Sequence, residues 1–264
     1  MLSTQYVPGA PVWLDLGVPD IDLAAGFYHA LFGWAFRIAG PEAGGYGMFQ
    51  LDGRTVAAIG PLTAEGARPS WDVYFHTRDA DATAKAVEHA GGSVRVAPFD
   101  IHALGRMAGF TDPTGADFSV WQPGEIRGLD LVTAPNALTW TELYTTDAAT
   151  ARVFYRAVFG WELEDTPVDA GTTYTVASPA GGGRHAAHGG LVQLPEENVT
   201  VGSRSGWHPY FEVPDCDATV AMATARGATV TVPPLDLEGV GRTAMFTDPF
   251  GAAFAVVTSE RDEP

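Results

Sequence analysis

Side chains that can accept or donate protons recur at alternate positions of strand-like segments. Neighbouring residues of a strand point to opposite faces, so alternate residues share one face. The second half of the chain carries two such sets, formed by Trp140, Glu142, Tyr144, His208, Tyr210 and Glu212. Carboxylate and imidazole groups transfer protons, and indole or phenol rings stack on aromatic or conjugated ligands. Glu142 and His208 are therefore the candidate catalytic residues, and the other four are candidate ligand contacts.

The first half of the chain repeats this pattern with different polar groups. Its candidate ligand contacts are Trp13, Asp15, Asp72, Tyr74 and His76. A structural interpretation stands beside the functional one in both halves. A carboxylate near a strand end can face solvent, Tyr is an ordinary half-buried strand residue, and a lone His can be a core residue.

Two arginines recur in the same Gly-Arg context before the last strand of each half, at Arg106 and Arg242. A guanidinium binds carboxylate or phosphate groups with two parallel hydrogen bonds. One interpretation is that each arginine holds an anionic group of a ligand. The alternative is that each ties its loop to a neighbouring aspartate.

The elements that position these residues come from an internal duplication. FYHALFGW at residues 27–34 returns as FYRAVFGW at 154–161, and FTDPTGADFSV at 110–120 returns as FTDPFGAAFAV at 246–256. Repeats of this kind indicate two copies of one domain. The shift between copies grows from 127 to 136 residues, and the Gly-rich stretch at 178–190 is the predicted place of the extra residues, as an enlarged loop.

Each copy divides again, because a strand-like run ending near Asp and followed by a helix occurs four times. Asp20 is a good N-cap and Gly33 a good stop for the first helix, and Asp81 and Asp217 are the predicted N-caps of the second and fourth. Short strand-like runs follow every helix. The prediction is an α+β fold of four βαβββ units, with domains at residues 1–125 and 137–264 and a linker at 126–136.

Composition limits the partners. A formal net charge of −17 disfavours binding to nucleic acid and to anionic membranes. The single Cys216 excludes an intramolecular disulfide, and neither a signal peptide nor a long apolar span is present. The expectation is a cytoplasmic protein with a small-molecule ligand, either a monomer with an internal pseudo-dimer or a homodimer.

The strand-Asp-helix-FYxxxFGW pattern and the closing TDPxG turn resemble the vicinal oxygen chelate superfamily, which includes glyoxalase I, extradiol dioxygenases and bleomycin-resistance proteins. The resemblance covers nearly the whole chain. More specifically, the sequence resembles tandem-domain actinobacterial members of the superfamily, among them a mycobacterial 27 kDa antigen and proteins described as hydroxylases. It implies two cupped mixed sheets, each built from a pair of βαβββ units, with the ligand in the cup.

The resemblance also implies where metal ligands would stand, and most are absent. The first-strand positions are Trp13 and Trp140, whose indole rings offer no lone pair to a metal. The final-strand positions are Ser119 and Ala255. The expectation is a protein without a metal cofactor. The alternative is a divalent metal in the second domain, held by Glu142, His188 and His208, because two His and one carboxylate form many open metal sites.

Three functions of different classes fit the sequence; the first is the predicted one and the second is its nearest alternative. The first is a metal-free binding protein of the bleomycin-resistance kind, which takes a small aromatic or carbonyl-containing metabolite. The second is an enzyme of secondary metabolism or detoxification, of the lyase, isomerase or hydroxylase type, with Glu142 and His208 as acid and base or as metal ligands. The third is an interaction protein with vestigial cups. The longer loop at 178–190 contains a further candidate ligand contact, His188. This loop favours tighter binding in the second copy, where it could act as a lid.

Overall fold

The computed structural model describes residues 2–62, 66–169, 172–195 and 204–260. Within these ranges the chain forms sixteen strands and four α-helices, in four successive strand–helix–three-strand units. The first two units comprise β1 Pro11–Val18, α1 Ile21–Phe32, β2 Ala35–Ile38, β3 Gly47–Leu51, β4 Arg54–Pro61, β5 Ser70–His76, α2 Ala80–His89, β6 Ser93–Ile101, β7 Gly105–Thr111 and β8 Asp117–Pro123. The last two comprise β9 Leu138–Thr145, α3 Ala148–Phe159, β10 Glu162–Asp169, β11 Thr172–Ser178, β12 Gly189–Gln193, β13 Gly206–Glu212, α4 Cys216–Ala225, β14 Thr229–Leu237, β15 Gly241–Thr247 and β16 Ala253–Ser259.

The strands form two eight-stranded mixed sheets. Their orders are β2-β3-β4-β1-β5-β8-β7-β6 and β10-β11-β12-β9-β13-β16-β15-β14. The first strand of each unit pairs in parallel with the last, as in β9 with β12, whereas the hairpin pairs are antiparallel. The predicted α+β class and the four βαβββ units are confirmed.

Helix termini follow the predicted chemistry, with one correction. Asp20 caps α1 through its side chain and Gly33 ends the helix in a left-handed conformation, as predicted. The prediction that Asp81 and Asp217 cap the second and fourth helices is wrong. The caps are Asp79 and Asp215, whose carboxylates accept from Ala82 N–H and Ala218 N–H.

The described residues cluster in two compact units that do not coincide with the repeats. Unit 1 contains residues 1–13, 72–128 and 140–208, and unit 2 contains residues 14–71, 129–139 and 209–264. Each unit therefore combines chain from both repeats. The predicted domain division at 1–125 and 137–264 stays a prediction.

Unit 1 is built around a buried tyrosine. Tyr155 Oη donates to the Asp112 carboxylate at 3.0 Å and accepts from Trp207 Nε1 at 2.9 Å. Its ring stacks on Trp161 at 4.8 Å. Burial raises the pKa of Tyr155 well above its usual value, so the hydroxyl stays protonated. The FYxxxFGW segment contributes buried core residues, and Asp112 belongs to a turn in which its carboxylate also accepts from Ala116 N–H.

Unit 2 contains the corresponding hydrogen-bond network, formed by the equivalent residues with the two repeats exchanged. Tyr28 Oη donates to Asp248 at 2.9 Å and accepts from Trp71 Nε1 at 3.1 Å. Tyr28 stacks on Trp34 at 5.8 Å, and burial raises its pKa well above the usual value. In the described part of the chain, no helix combines the length and apolar character that crossing a membrane requires.

Candidate functional site

A buried carboxylate on β9 lies between two tyrosines. Glu142 is only 8% exposed. Tyr144 Oη donates to its Oε2 at 2.8 Å, and Tyr174 Oη donates to its Oε1 at 2.6 Å. Because Trp140, Glu142 and Tyr144 alternate along one strand, they share a face, as the sequence predicted. The carboxylate is thus held in one orientation by two hydroxyl donors.

Tyr174 joins this face from β11. Trp140 Nε1 donates to Tyr174 Oη at 2.8 Å, so indole, phenol and carboxylate form one hydrogen-bonded chain. Desolvation, then the charge of Glu142, raises the pKa of Tyr174 well above its usual value. Tyr174 therefore remains a protonated donor at neutral pH. Tyr174 is not among the residues predicted from the sequence, although Tyr46, which directly precedes β3, is its counterpart in the first repeat.

Tyr174 reaches Glu142 only because Gly190 has no side chain. Gly190 pairs with Glu142 across β12 and β9. A Cβ on Gly190 would lie 2.1 Å from Tyr174 Oη and 2.2 Å from its Cζ, well inside van der Waals contact. The first repeat has Ala58 opposite Asp15 at the equivalent position, and there Tyr46 lies against Gly60 instead.

Replacing Gly190 with alanine is therefore expected to displace Tyr174. The loss of its hydrogen bonds to Glu142 and Trp140 should cost about 1–3 kcal/mol of unfolding free energy. The raised pKa of Tyr174 should fall towards the usual value, visible as earlier tyrosinate absorbance in an alkaline titration. Gly206→Ala is the control, because a Cβ there meets only His208 Cε1 at 3.9 Å. An unchanged titration in Gly190→Ala would contradict this role of the glycine.

His208 completes the face from the start of β13. Its ring meets Tyr144 edge to face at 5.0 Å, and its Nδ1 lies 3.2 Å from the Gly206 carbonyl oxygen. A carbonyl can only accept, so Nδ1 carries the hydrogen and Nε2 presents a lone pair. Desolvation lowers the pKa of His208 to about 4, and the imidazole is neutral at pH 7. We call Trp140, Glu142, Tyr144, Tyr174 and His208 the Glu142 face.

His188 does not join the Glu142 face. It is 1% exposed and its ring packs against Trp161 at 4.9 Å and Phe75 at 6.3 Å, within the aromatic core of unit 1. Among the described residues, neither ring nitrogen has a hydrogen-bond partner, and desolvation lowers the pKa of His188 to about 3.

The side chains present do not fit a divalent metal site. With His188 in the core, the set Glu142, His188 and His208 is not assembled, and both Glu142 oxygens already accept from tyrosine hydroxyls. Across residues 2–62, 66–169, 172–195 and 204–260, no group of three His, Cys, Asp or Glu side chains is placed to hold a metal ion.

The first-repeat candidates separate into two places. In unit 1, Trp13 stacks on Trp121 at 6.5 Å, and Ser119 Oγ donates to Asp72 at 2.6 Å. Tyr74 is buried beside Ser119 in the β5–β8 pairing. His76 is half-buried, with a pKa lowered by desolvation and by Arg78.

In unit 2, Asp15 accepts from Tyr46 Oη at 2.7 Å. This pair is the counterpart of Glu142 with Tyr174. A signal in the sequence could have revealed both tyrosines, because Tyr46 and Tyr174 align in the duplication once a one-residue shift is allowed.

Two second-repeat candidates lie in unit 2. Tyr210 is 8% exposed. Glu212, near the end of β13, accepts from Ser259 Oγ at 2.6 Å and from Ser259 N–H at 3.1 Å. These contacts give Glu212 a structural role in joining β13 to the end of β16.

The recurring arginines bind aspartates of their own repeat. Arg106 donates to both oxygens of Asp81 at 2.9 and 3.0 Å and to Asp100 at 2.9 Å. Arg242 makes the same contacts, at 2.6 and 2.9 Å to Asp217 and at 3.0 Å to Asp236. The structure thus shows the tying interaction that the sequence offered as an alternative to ligand binding.

The enlarged loop after β11 is anchored rather than loose. Glu162 on β10 accepts from Gly181 N–H at 2.9 Å and from Gly183 N–H at 3.1 Å. Arg184 donates to Thr166 at 2.8 Å, and a 3₁₀ turn spans Arg184–Ala186. The described loop is held against β10, so the structure gives no support to a lid.

Comparisons with known proteins agree with the fold. The family model for the Glyoxalase/Bleomycin resistance protein/Dioxygenase superfamily matches residues 10–120 and 137–256. The anthracycline biosynthesis protein DauV of Streptomyces sp. (strain C5) is 42% identical over 284 residues, which cover 96% of this chain and 94% of DauV. CFP32 of Mycobacterium tuberculosis (strain CDC 1551 / Oshkosh) is 39% identical over 259 residues, 96% of each chain.

Solved structures extend the likeness in fold alone. The Mn(II)-bound glyoxalase from Novosphingobium aromaticivorans superposes with a TM-score of 0.61 at 19% identity, covering 95% of this chain and 82% of that chain. The resemblance stated from the sequence is confirmed by the family match and by the two relatives. The chain belongs to the Glyoxalase/Bleomycin resistance protein/Dioxygenase superfamily.

Proposed function

We propose that this protein is a metal-independent enzyme of aromatic secondary metabolism, in which Glu142 accepts a proton from a small aromatic, carbonyl-containing substrate. The observation that carries the proposal is the buried Glu142 carboxylate between the hydroxyls of Tyr144 and Tyr174. Burying a carboxylate against aromatic rings costs free energy that a site for stacking alone would not require. Ionisable groups placed in this way concentrate at sites of proton transfer.

The chemistry assigned to each residue follows from its contacts. Trp140 and the two tyrosine rings offer aromatic surface to a flat ligand. The two hydroxyl donors fix the Glu142 carboxylate, which spares the loss of rotational freedom that a mobile base would undergo at each turnover. A carboxylate retains further lone pairs after accepting two hydrogen bonds, so it can still take a proton from carbon or oxygen.

The relatives support the substrate class. DauV is named for anthracycline biosynthesis, and anthracyclines are fused polycyclic aromatics that bear hydroxyl and carbonyl groups. A ligand of that kind suits a face of one indole, two phenols and one carboxylate. We place the enzyme in the cytoplasm, in keeping with a single buried Cys216 that forms no disulfide.

Anthrone provides the test, because its C10 methylene is activated by the C9 carbonyl. Glu142 would take one C10 proton, the electron pair would pass to the carbonyl oxygen, and the carboxyl group would return a deuteron in D₂O. We expect the protein to accelerate C10 hydrogen–deuterium exchange, followed by NMR, by about 10²–10⁴-fold above buffer at equal pD. Exchange at the buffer rate in the presence of bound anthrone would overturn the enzyme proposal.

Binding without turnover is the second candidate function. It is favoured by the recurrence of the carboxylate–tyrosine pair in the first repeat, where Asp15 accepts from Tyr46. A pair that recurs in both repeats suits recognition of a ligand as well as catalysis. Anthrone bound with no added exchange is the result that would select this function.

A further inference from the structure

The polar hydrogens of the Glu142 face are directed at protein acceptors. Tyr144 and Tyr174 both donate to Glu142. Trp140 Nε1 donates to Tyr174 Oη, and His208 Nδ1 donates to the Gly206 carbonyl. The four donors of this face therefore each have a partner of their own before a ligand arrives.

What the face offers to a ligand is an acceptor nitrogen. His208 holds its single ring hydrogen on Nδ1, so Nε2 carries a lone pair and no hydrogen. The ring is held by its edge-to-face contact with Tyr144 at 5.0 Å. Its pKa of about 4, lowered by desolvation, keeps it neutral above pH 5, so Nε2 does not become a donor under physiological conditions.

We propose that the ligand reaches the Glu142 face as a hydrogen-bond donor, a phenol whose hydroxyl donates to His208 Nε2, and that the face binds analogues without this hydroxyl less tightly. This inference rests on the proposed function, because it names the substrate class of the same site. It adds that the substrate carries a phenolic hydroxyl besides its carbonyl group, and that His208 accepts from this hydroxyl.

The selectivity has a simple physical cause. A carbonyl oxygen that enters a face of acceptors gives up its hydrogen bonds to water and gains none in return. A hydroxyl replaces its bond to water with one to Nε2. Sites arranged to hydrogen-bond one polar group reject analogues that lack it more strongly than apolar pockets reject a change of size.

Three naphthalenes of similar size test the proposal by calorimetric titration at pH 7. The probes are 2-naphthol, which donates, and 2-methoxynaphthalene and 2-acetonaphthone, which only accept. We expect 2-naphthol to bind about fivefold to tenfold more tightly than either of the others, the range for one hydrogen bond. In His208→Phe, which keeps a ring against Tyr144 and removes the acceptor, the three dissociation constants should fall within about twofold of one another.

His185→Phe is the matched control, since His185 is an exposed residue of the 3₁₀ turn, and it should keep the wild-type preference. Equal or tighter binding of 2-acetonaphthone by the wild type would overturn the inference. So would a preference for 2-naphthol that survives in His208→Phe, or an absence of 2-naphthol binding. Failure of the proposed function would give a different result. Anthrone exchange would stay at the buffer rate, while the preference for 2-naphthol would remain.

Discussion

Glu142→Gln is expected to slow protein-dependent anthrone exchange by about 10²–10⁴-fold, the usual contribution of a positioned general base. Glutamine has nearly the same shape, and its amide oxygen can still accept from Tyr144 or Tyr174. Its neutral amide, however, cannot take a proton from carbon at neutral pH. The rate should therefore collapse while anthrone affinity changes by less than about tenfold.

The duplication supplies the matched control for this experiment. Asp15→Asn makes the same chemical change in the first repeat, where Asp15 accepts from Tyr46 at 2.7 Å. It should leave most of the exchange intact. Exchange that survives in Glu142→Gln, or that is lost equally in Asp15→Asn, would remove Glu142 from the role of base. Circular dichroism would confirm that both variants are folded.

His188→Val is expected to make the protein much less sensitive to acid. The folded pKa of His188 is about 3, whereas an unfolded histidine titrates near 6.5. As pH falls below about 6.5, the unfolded chain takes up a proton at His188 that the folded chain refuses until about pH 3, so stability is lost across this window. Each pH unit costs up to about 1.4 kcal/mol, which makes roughly 2 kcal/mol between pH 6.5 and pH 5.

The measurement is urea unfolding of the wild type and the variant at pH 7.5 and pH 5. Valine is the natural replacement, because Val56 is the fully buried counterpart in the first repeat. The variant should lose about 2 kcal/mol less than the wild type over this interval. His208 titrates in both proteins, so the difference isolates His188. Exposed His185→Val is the control, and parallel losses in all three proteins would show that His188 is not a buried neutral group.

The position of His188 also shows where sequence periodicity fails. His188 and Gly190 are two residues apart. Simple alternation along a strand would therefore place His188 on the same face as Glu142, which pairs with Gly190. In the first repeat, pairing of β3 with β4 skips from Ala57 to Thr55, so Val56 lies in a bulge. A bulge redirects a side chain to the other face, and His188, at the equivalent place, packs against Trp161 and Phe75.

Local chemistry predicted the helices well but left one ambiguity. Two segments carry Asp-x-Asp, at 79–81 and 215–217, and either aspartate could serve as N-cap. The first of each pair caps the helix, while the second binds Arg106 or Arg242 from a distant strand. Which aspartate caps the helix therefore depends on a tertiary contact, and residue spacing alone does not predict that contact.

The Glu142 face was only partly predictable for a similar reason. Alternation along β9 grouped Trp140, Glu142 and Tyr144 correctly. Tyr174 was missed because its approach depends on the pairing of β11 with β12 and on the empty space above Gly190. Such space is a property of the assembled sheet.

The composition of the two compact units has an evolutionary consequence. Tyr155 of the second repeat bonds Asp112 of the first, and Tyr28 of the first bonds Asp248 of the second. In an ancestor with one repeat, these reciprocal contacts would have joined two identical molecules. Fusion into one gene removed the requirement that the two copies have the same sequence. Equivalent positions could then diverge, as Val56 and His188 or Ala58 and Gly190 have done. One copy could specialise while the other preserved the shared cores.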